Sequence, residues 1–99
     1  MIVVRNTFRL KFGKAREAVA ILKEGMAIQK RAGVDVPQRL MTDMTGTFYT
    51  VVLEMTFPNF AALEASMPKA MGDKEFQANY QKFVPLVESG HREIFTLVE

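Results

Sequence analysis

The 99-residue sequence contains no cysteine and no long uninterrupted hydrophobic run. The absence of cysteine excludes a disulfide framework, a thiol nucleophile and a thiolate metal site, and it is compatible with a reducing compartment. The amino-terminal segment is too short and too interrupted by charge for a signal-peptide core. No apolar segment approaches the roughly 18–20 residues that span a bilayer. We therefore expect a cytoplasmic protein without a membrane partner.

An excess of charge of one sign is also lacking. The formal net charge is +2, and the basic residues are interspersed among acidic ones rather than collected in a tract, so there is no electrostatic basis for a nucleic-acid partner. A content of 48% hydrophobic and 24% charged residues is typical of a soluble globular protein. The length suits one compact domain, which we expect to comprise residues 1–99.

Motifs for metals, cofactors and covalent catalysis are missing as well. The six glycines are scattered and form neither a P-loop nor a dinucleotide fingerprint. Neither of the two serines lies in a G-x-S-x-G elbow. Metal ligands could only be assembled from dispersed side chains with no ligand signature in their spacing, namely His91, Glu93, Glu54 and Asp43. We predict no metal and no cofactor.

The two ends of the chain have the pattern of strands. Residues 2–10 are rich in β-branched and aromatic side chains, and their even positions form an apolar face on which Asn6 is the exception. Residues 91–98 alternate in the same way after Gly90, which we expect to open the last strand.

The middle of the chain has the pattern of a hairpin. Residues 37–44 and 47–57 read as two strands, and the dipeptide Thr45-Gly46 predicts a tight turn between them. Alternation in the second strand places Tyr49 on the apolar core face and Glu54 on the opposite face.

Helical periodicity appears between these strands. Residues 14–33 carry apolar side chains at spacings of three and four, and Gly33 is expected to end this helix. Gly25 in its interior costs roughly 1 kcal/mol relative to alanine, so we expect either a close helix–sheet contact or a cavity beside it.

A second helical segment reads as two short helices. Asn59 and Asp73 are placed to cap them, and Pro68 and Gly72 should break the first of the two helices. In the last helix an apolar stripe recurs at intervals of three and four residues, and Pro85 should end the helix. The stripe consists of Phe76, Tyr80, Phe83 and Val87.

The resulting order, β-α-β-β-α-β, predicts an α+β fold of the ferredoxin-like type, with a four-stranded antiparallel sheet and helices on one face. The other sheet face would carry Val3, Phe48 and Val52 among charged residues, which suits a partner better than bulk water. We therefore predict a homodimer in which two sheets meet face to face.

Three stretches of the sequence resemble the NIPSNAP family. They are "RNTFRLKFGKAREAV", "VVLEMTFPNFAALEA" and "EFQANYQKFVPLVESGHREIF", which are similar to that family's first strand and turn, its third strand and following helix, and its closing pattern. The resemblance implies a dimeric α+β barrel related to antibiotic-biosynthesis monooxygenase-like proteins, with a pocket between sheet and helices in each protomer. It does not imply one chemistry, because this fold hosts several.

Four polar side chains are the candidates for catalysis. His91 is the acid–base candidate because an imidazole exchanges protons near neutrality; the alternative is a solvated polar residue at a strand end. Asn6 and Tyr49 fall on the predicted apolar face, where a polar atom needs a partner or a ligand, and a satisfied core position is the alternative. We assign these two to orienting a substrate oxygen, and His91 or Tyr80 to proton transfer.

The predicted function is binding of a small apolar or aromatic molecule between sheet and helices; if the protein is an enzyme, we expect a cofactor-independent monooxygenase or isomerase. The alternative is a non-catalytic assembly module, and a solid core would favour it. The apolar side chains of the predicted pocket serve equally well as an ordinary core; they are Phe8, Met26, Met55, Phe76 and Phe83.

Overall fold

The computed structural model describes residues 1–99 and contains four strands and three α-helices. A single 3₁₀ turn, Val84–Leu86, precedes the last strand. The βαββαβ order and the split second helical segment confirm the predicted α+β class. In chain order the elements are β1 (Ile2–Leu10), α1 (Ala15–Arg31), β2 (Gln38–Thr42), β3 (Thr50–Phe57), α2 (Phe60–Met71), α3 (Lys74–Phe83) and β4 (Val87–Thr96).

The four strands form one antiparallel sheet in the order β2-β3-β1-β4. The even positions of β1 face the helices, and they contribute to two separate core clusters. One cluster surrounds Val4 and Phe57, and the other surrounds Leu10 and Phe83. Asn6 lies between them on the same strand face, because side chains two residues apart share a face.

Helix α1 packs against α3, and Gly25 lies at their contact. A Cβ atom added to Gly25 would lie 3.0 Å from Asn79 Nδ2, so the absence of a side chain lets the two helices approach. The prediction of a close helix–sheet contact at Gly25 is therefore wrong, because the neighbour is a second helix; the predicted alternative, a cavity beside Gly25, is present. The helix ends before Gly33, whose φ of +101° is left-handed and favours glycine. None of the helices is both long and apolar enough to cross a membrane.

The connection between β2 and β3 differs from the predicted tight turn. The strands are shorter than expected, and residues 43–49 form an irregular connection. Its ends are joined because Thr50 N–H donates to Asp43 Oδ1 over 2.9 Å. Phe48 and Tyr49 therefore lie outside β3, and Tyr49 has a left-handed φ of +57°, which ends the alternation on which their faces were predicted.

Pro68 and Pro85 have different effects on their helices: Pro68 lies inside α2, whereas Pro85 follows the end of α3. Pro68 does not break α2: its carbonyl accepts the Gly72 N–H over 2.9 Å, and the helix continues to Met71. Pro68 is exposed and near the end of the helix, so the helix loses only the one backbone hydrogen bond that the missing proline N–H would have donated. Pro85, in contrast, follows the end of α3 at Phe83, as predicted.

Gly90 lies inside β4 rather than at its start, because the strand already begins at Val87. It is paired with Phe8 of β1. A Cβ atom at this position would lie 2.9 Å from Phe8 Cδ1 and 3.1 Å from the Thr7 carbonyl oxygen. The glycine therefore makes room for an aromatic ring, and it does not mark a turn.

Glu54 lies on the sheet face away from the helices, as predicted, and its carboxylate is buried there. Only 4% of this residue is exposed, because Arg39 Nη2 and Arg5 Nε donate to its two oxygens over 2.5 and 2.7 Å. These hydrogen bonds, Arg39's first, hold the pKa of Glu54 below its ordinary value against a smaller opposing effect of burial. The Arg5 guanidinium also lies 5.1 Å from the Phe95 ring centre.

Candidate functional site

A cavity of about 510 Å³ separates α1 and α3 from the sheet. It lies at the level of Asn6, between the two core clusters. The sheet contributes Phe8 and Met55, and α1 contributes Met26. A volume of this size falls within the range that binds small molecules.

Eight of the nine side chains chosen from the sequence belong to residues that border this cavity. The structure thus brings together positions from β1, β3, β4, α1 and α3 that are far apart in the chain. Their roles stay predictions, whereas their proximity is a property of the fold. They are Asn6, Phe8, Met26, Met55, Phe76, Tyr80, Phe83 and His91.

The aromatic wall of the cavity comes mostly from α3. The rings of Phe76 and Tyr80 are nearly parallel, with centres 6.4 Å apart. Phe83 meets Phe8 of the sheet edge to face, with ring centres 4.9 Å apart. Tyr80 is 48% exposed, so this wall extends from the interior to the surface. Stacked and edge-on rings of this kind present flat apolar surface to a ligand.

The polar end of the cavity is formed by Asn6 and Arg92. They are paired in the β1–β4 register, and Arg92 Nε donates to Asn6 Oδ1 over 2.6 Å. The Asn6 side chain is buried, and its Nδ2 donates to no protein atom. Sequence reasoning missed Arg92 because it concentrated on His91. The signal was alternation, since only one of two consecutive strand residues can face the helices.

Asn79 is a second polar residue that sequence reasoning missed. It is 5% exposed, and its Nδ2 donates to the Ile21 carbonyl oxygen over 2.9 Å. Its Oδ1 has no hydrogen-bond partner. The signal was its spacing, three residues after Phe76 and four before Phe83, which places it on the apolar stripe of α3.

The structure corrects the predicted location of Tyr49. Its ring packs 4.8 Å from that of Phe12 and borders a second cleft, formed by α1 and the β2–β3 connection. The left-handed backbone at Tyr49 directs the chain out of the strand before β3 begins. Tyr49 therefore does not share a cavity with Asn6.

His91 borders the cavity from the edge strand, but its side chain is on the other sheet face. It is paired with Thr7, whose odd position faces away from the helices. Its Nε2 lies 3.6 Å from Glu93 Oε1, and 62% of the side chain is exposed. An imidazole facing into the cavity, which the predicted proton-transfer role requires, is not what the register produces.

The sequence profile of the NIPSNAP family matches residues 4–99. The chain belongs to the NIPSNAP family. A search of curated proteins gives no significant match.

Two solved NIPSNAP structures are similar to this NIPSNAP chain over nearly its whole length. One is an uncharacterized NIPSNAP domain protein from Burkholderia xenovorans, with 23% identity, a TM-score of 0.88, and coverage of 99% of this chain and 95% of that chain. The other is a NIPSNAP family protein from Agrobacterium tumefaciens strain C58, with 21% identity, a TM-score of 0.88, and coverage of 99% and 86%.

The fold also extends beyond NIPSNAP proteins. SnoaB, a cofactor-independent oxygenase from Streptomyces nogalater, has 14% identity and a TM-score of 0.75, with coverage of 99% of this chain and 93% of that chain. An antibiotic biosynthesis monooxygenase has the same identity and TM-score. At this identity the similarity concerns the fold of the NIPSNAP chain and not its chemistry.

Proposed function

We propose that this protein binds a small, largely apolar or aromatic molecule in the cavity between the sheet and helices α1 and α3. The observation that carries the proposal is the cavity itself, about 510 Å³ in volume and lined by aromatic and aliphatic side chains. Interiors are ordinarily close-packed. A space of this size with a few polar groups is the usual form of a small-molecule site.

Two glycines in the wall of the cavity help to keep it open, because they have no side chain. Gly25 of α1 and Gly90 of β4 both border it, and a Cβ atom at either would crowd Asn79 or Phe8 respectively. The polar groups at its sheet side add specificity to an otherwise apolar site, because the Asn6 Nδ2 group is a donor without a protein acceptor.

We also propose a narrower function, in which the bound molecule is oxidised by molecular oxygen, or isomerised, without a cofactor. The support is the similarity in fold to SnoaB, a cofactor-independent oxygenase, together with two polar groups at the cavity. Asn6 would orient a substrate oxygen, and Tyr80, half-exposed at the surface end, would transfer a proton. The structural positions of Tyr49 and His91 give them no part in this proposal.

We propose that the protein is a homodimer in which two sheets meet. The sheet face away from the helices has no covering element, and several apolar side chains lie on it. Met41 and Phe95 on this face are 38% and 43% exposed, and Val3 pairs with Phe95. A face of this composition is suited to a second copy of the same chain.

Binding can be tested with N-phenyl-1-naphthylamine, a neutral aromatic dye whose fluorescence rises in apolar sites. Ile21 borders the cavity, whereas its neighbour Ala20 borders the other cleft. We expect Ile21→Trp to fill the cavity and weaken dye binding at least roughly tenfold, and Ala20→Trp to leave it unchanged. Circular dichroism would establish that both variants fold.

Two results would contradict the binding proposal. In one, the folded wild type does not enhance the dye's fluorescence; such a protein, if dimeric, would instead be the non-catalytic assembly module. In the other, the two tryptophan variants weaken binding equally. The narrower function is tested by oxygen uptake and product analysis with polyphenolic compounds, for which Tyr80→Phe should lower the turnover rate more than the affinity.

A further inference from the structure

We infer that the ligand of this cavity carries an acidic oxygen, as a carboxylate, phenolate or sulfonate does, and that the Arg92 guanidinium binds it. The inference rests on the proposed binding function and names the class of ligand: a flat apolar or aromatic body with one anionic group. It follows from the charge at the cavity, the geometry of Arg92 and the arrangement of the acidic residues in the fold.

Arg92 is a cation without an acidic partner. Two carboxylates near it in the strand registers are otherwise placed: Glu54 is bound by Arg5 and Arg39 on the other sheet face, and Glu93 shares that face with His91. No ion pair of the chain includes Arg92. The alternation of β4 therefore separates its one arginine from its neighbouring acid.

The cavity contains no charge that would compensate Arg92. Its other polar residues carry no negative charge, with Asn6, Gln29, Asn79 and Ser89 among them, and no aspartate or glutamate borders it. Arg92 is an exposed residue on the edge strand, but the apolar walls beside it keep water from one side and make its attraction for an anion stronger than that of a charge in open solvent. An anionic oxygen placed at the sheet side would therefore complete the site.

Asn6 is the positioning residue for this arginine. It lies on the central strand β1, is 8% exposed, and accepts the Arg92 Nε–H over 2.6 Å. This bond fixes the plane of the guanidinium on the edge strand and leaves both Nη groups without a protein acceptor. A guanidinium held in one plane with free N–H groups is suited to two parallel hydrogen bonds with an acidic group.

Two dyes with the same aromatic body test the inference. 8-Anilino-1-naphthalenesulfonate is N-phenyl-1-naphthylamine with an added sulfonate, so the ratio of their dissociation constants isolates the contribution of the anion. At fixed ionic strength we expect the wild type to bind the sulfonate dye more tightly. Arg92→Gln should weaken that binding roughly tenfold, as expected for one charge-assisted interaction, and leave the neutral dye unchanged.

Two further variants sharpen the comparison. Asn6→Asp would place a carboxylate against the guanidinium and should abolish the preference for the sulfonate dye, measured as the ratio of the two dissociation constants. A structural role for Asn6 alone would change both dissociation constants by the same factor and leave their ratio as in the wild type. Arg16→Gln removes the same charge from the second cleft and should change neither dye.

The outcomes separate the two proposals. If neither dye binds to folded wild type, the binding function itself is wrong. If both bind but Arg92→Gln leaves their ratio unchanged, the cavity binds ligands and the inference about an acidic oxygen is overturned. If Arg16→Gln removes the preference instead, the anion binds at the second cleft, and the inference is again overturned.

Discussion

Glu54 is expected to stabilise the fold although it lies on the sheet face without helices. The substitution Glu54→Gln keeps the shape of the side chain and removes its charge. In the wild type, Arg39 and Arg5 each donate to one carboxylate oxygen. The glutamine retains one oxygen that can accept from an arginine. Its NH₂ group replaces the other oxygen and faces the N–H donor of the second arginine, so that contact has two donors and no acceptor.

The size of the effect follows from the exposure of the three groups. Hydrogen bonds to a charged group contribute roughly 1.5–3 kcal/mol each when shielded from water. Here the carboxylate side chain is 5% exposed, but those of Arg5 and Arg39 are 42% and 74% exposed, so solvent screening reduces the gain. We expect Glu54→Gln to lower the free energy of unfolding by about 2 kcal/mol near pH 7.

The pH dependence provides a second, independent test. The hydrogen bonds from Arg39 and Arg5 lower the pKa of Glu54 below its ordinary value of 4.5. For a lowered carboxyl pKa, the stabilisation is fully present above the unfolded value and is lost as the pH falls through the folded value. The difference between wild type and Glu54→Gln should therefore be constant from pH 7 to about 5 and shrink below that.

Glu75→Gln is the matched control, because Glu75 also accepts from an arginine but on the open surface. Its bond from Arg31 is 3.1 Å long, and the two side chains are 72% and 61% exposed. We expect a loss of about 0.5 kcal/mol or less. Urea unfolding at one protein concentration measures both variants. Equal losses, or a Glu54→Gln loss that persists undiminished at pH 3, would refute the reasoning.

Three further predictions concern packing, assembly and capping. Gly90→Ala should cost about 1–3 kcal/mol in urea unfolding through its contact with Phe8, and a much smaller cost in the Phe8→Leu background would identify the ring as the cause. In sedimentation velocity, Met41→Glu should shift the proposed dimer towards monomer, whereas Met44→Glu, on a 97% exposed side chain, should not; a monomeric wild type would contradict the dimer. Asp73→Ala should cost about 1 kcal/mol, and an unchanged unfolding midpoint would contradict the capping assignment.

Elements whose signals are local could be predicted from the sequence. The helix ended by Gly33, the caps at Asn59 and Asp73 and the stop before Pro85 all depend on a few neighbouring residues. Periodicity also placed Asn6 on the helix-facing side of its strand, because alternation within one strand needs no information from the rest of the chain. These signals were sufficient for the α+β class.

Predictions that depended on the length of a strand were less successful. Extending β3 back to residue 47 placed Tyr49 on the core face, whereas the left-handed backbone at this residue and the Asp43–Thr50 hydrogen bond delay the start of the strand to Thr50. Starting β4 at His91 treated Gly90 as a turn, although the pairing of β4 with β1 continues beyond it to Val87. Strand ends are decided by cross-strand partners, which are distant in sequence.

The sequence by itself determined the order of elements, the apolar stripe of α3 and the isolated polar position on β1, since each follows from periodicity and local turn chemistry. Only the tertiary structure decided that Asn6 binds Arg92 and not His91, because the register between β1 and β4 places one of these two adjacent residues on each sheet face. It also decided that α1 and α3 leave a cavity above the sheet, since empty space depends on how distant side chains pack together.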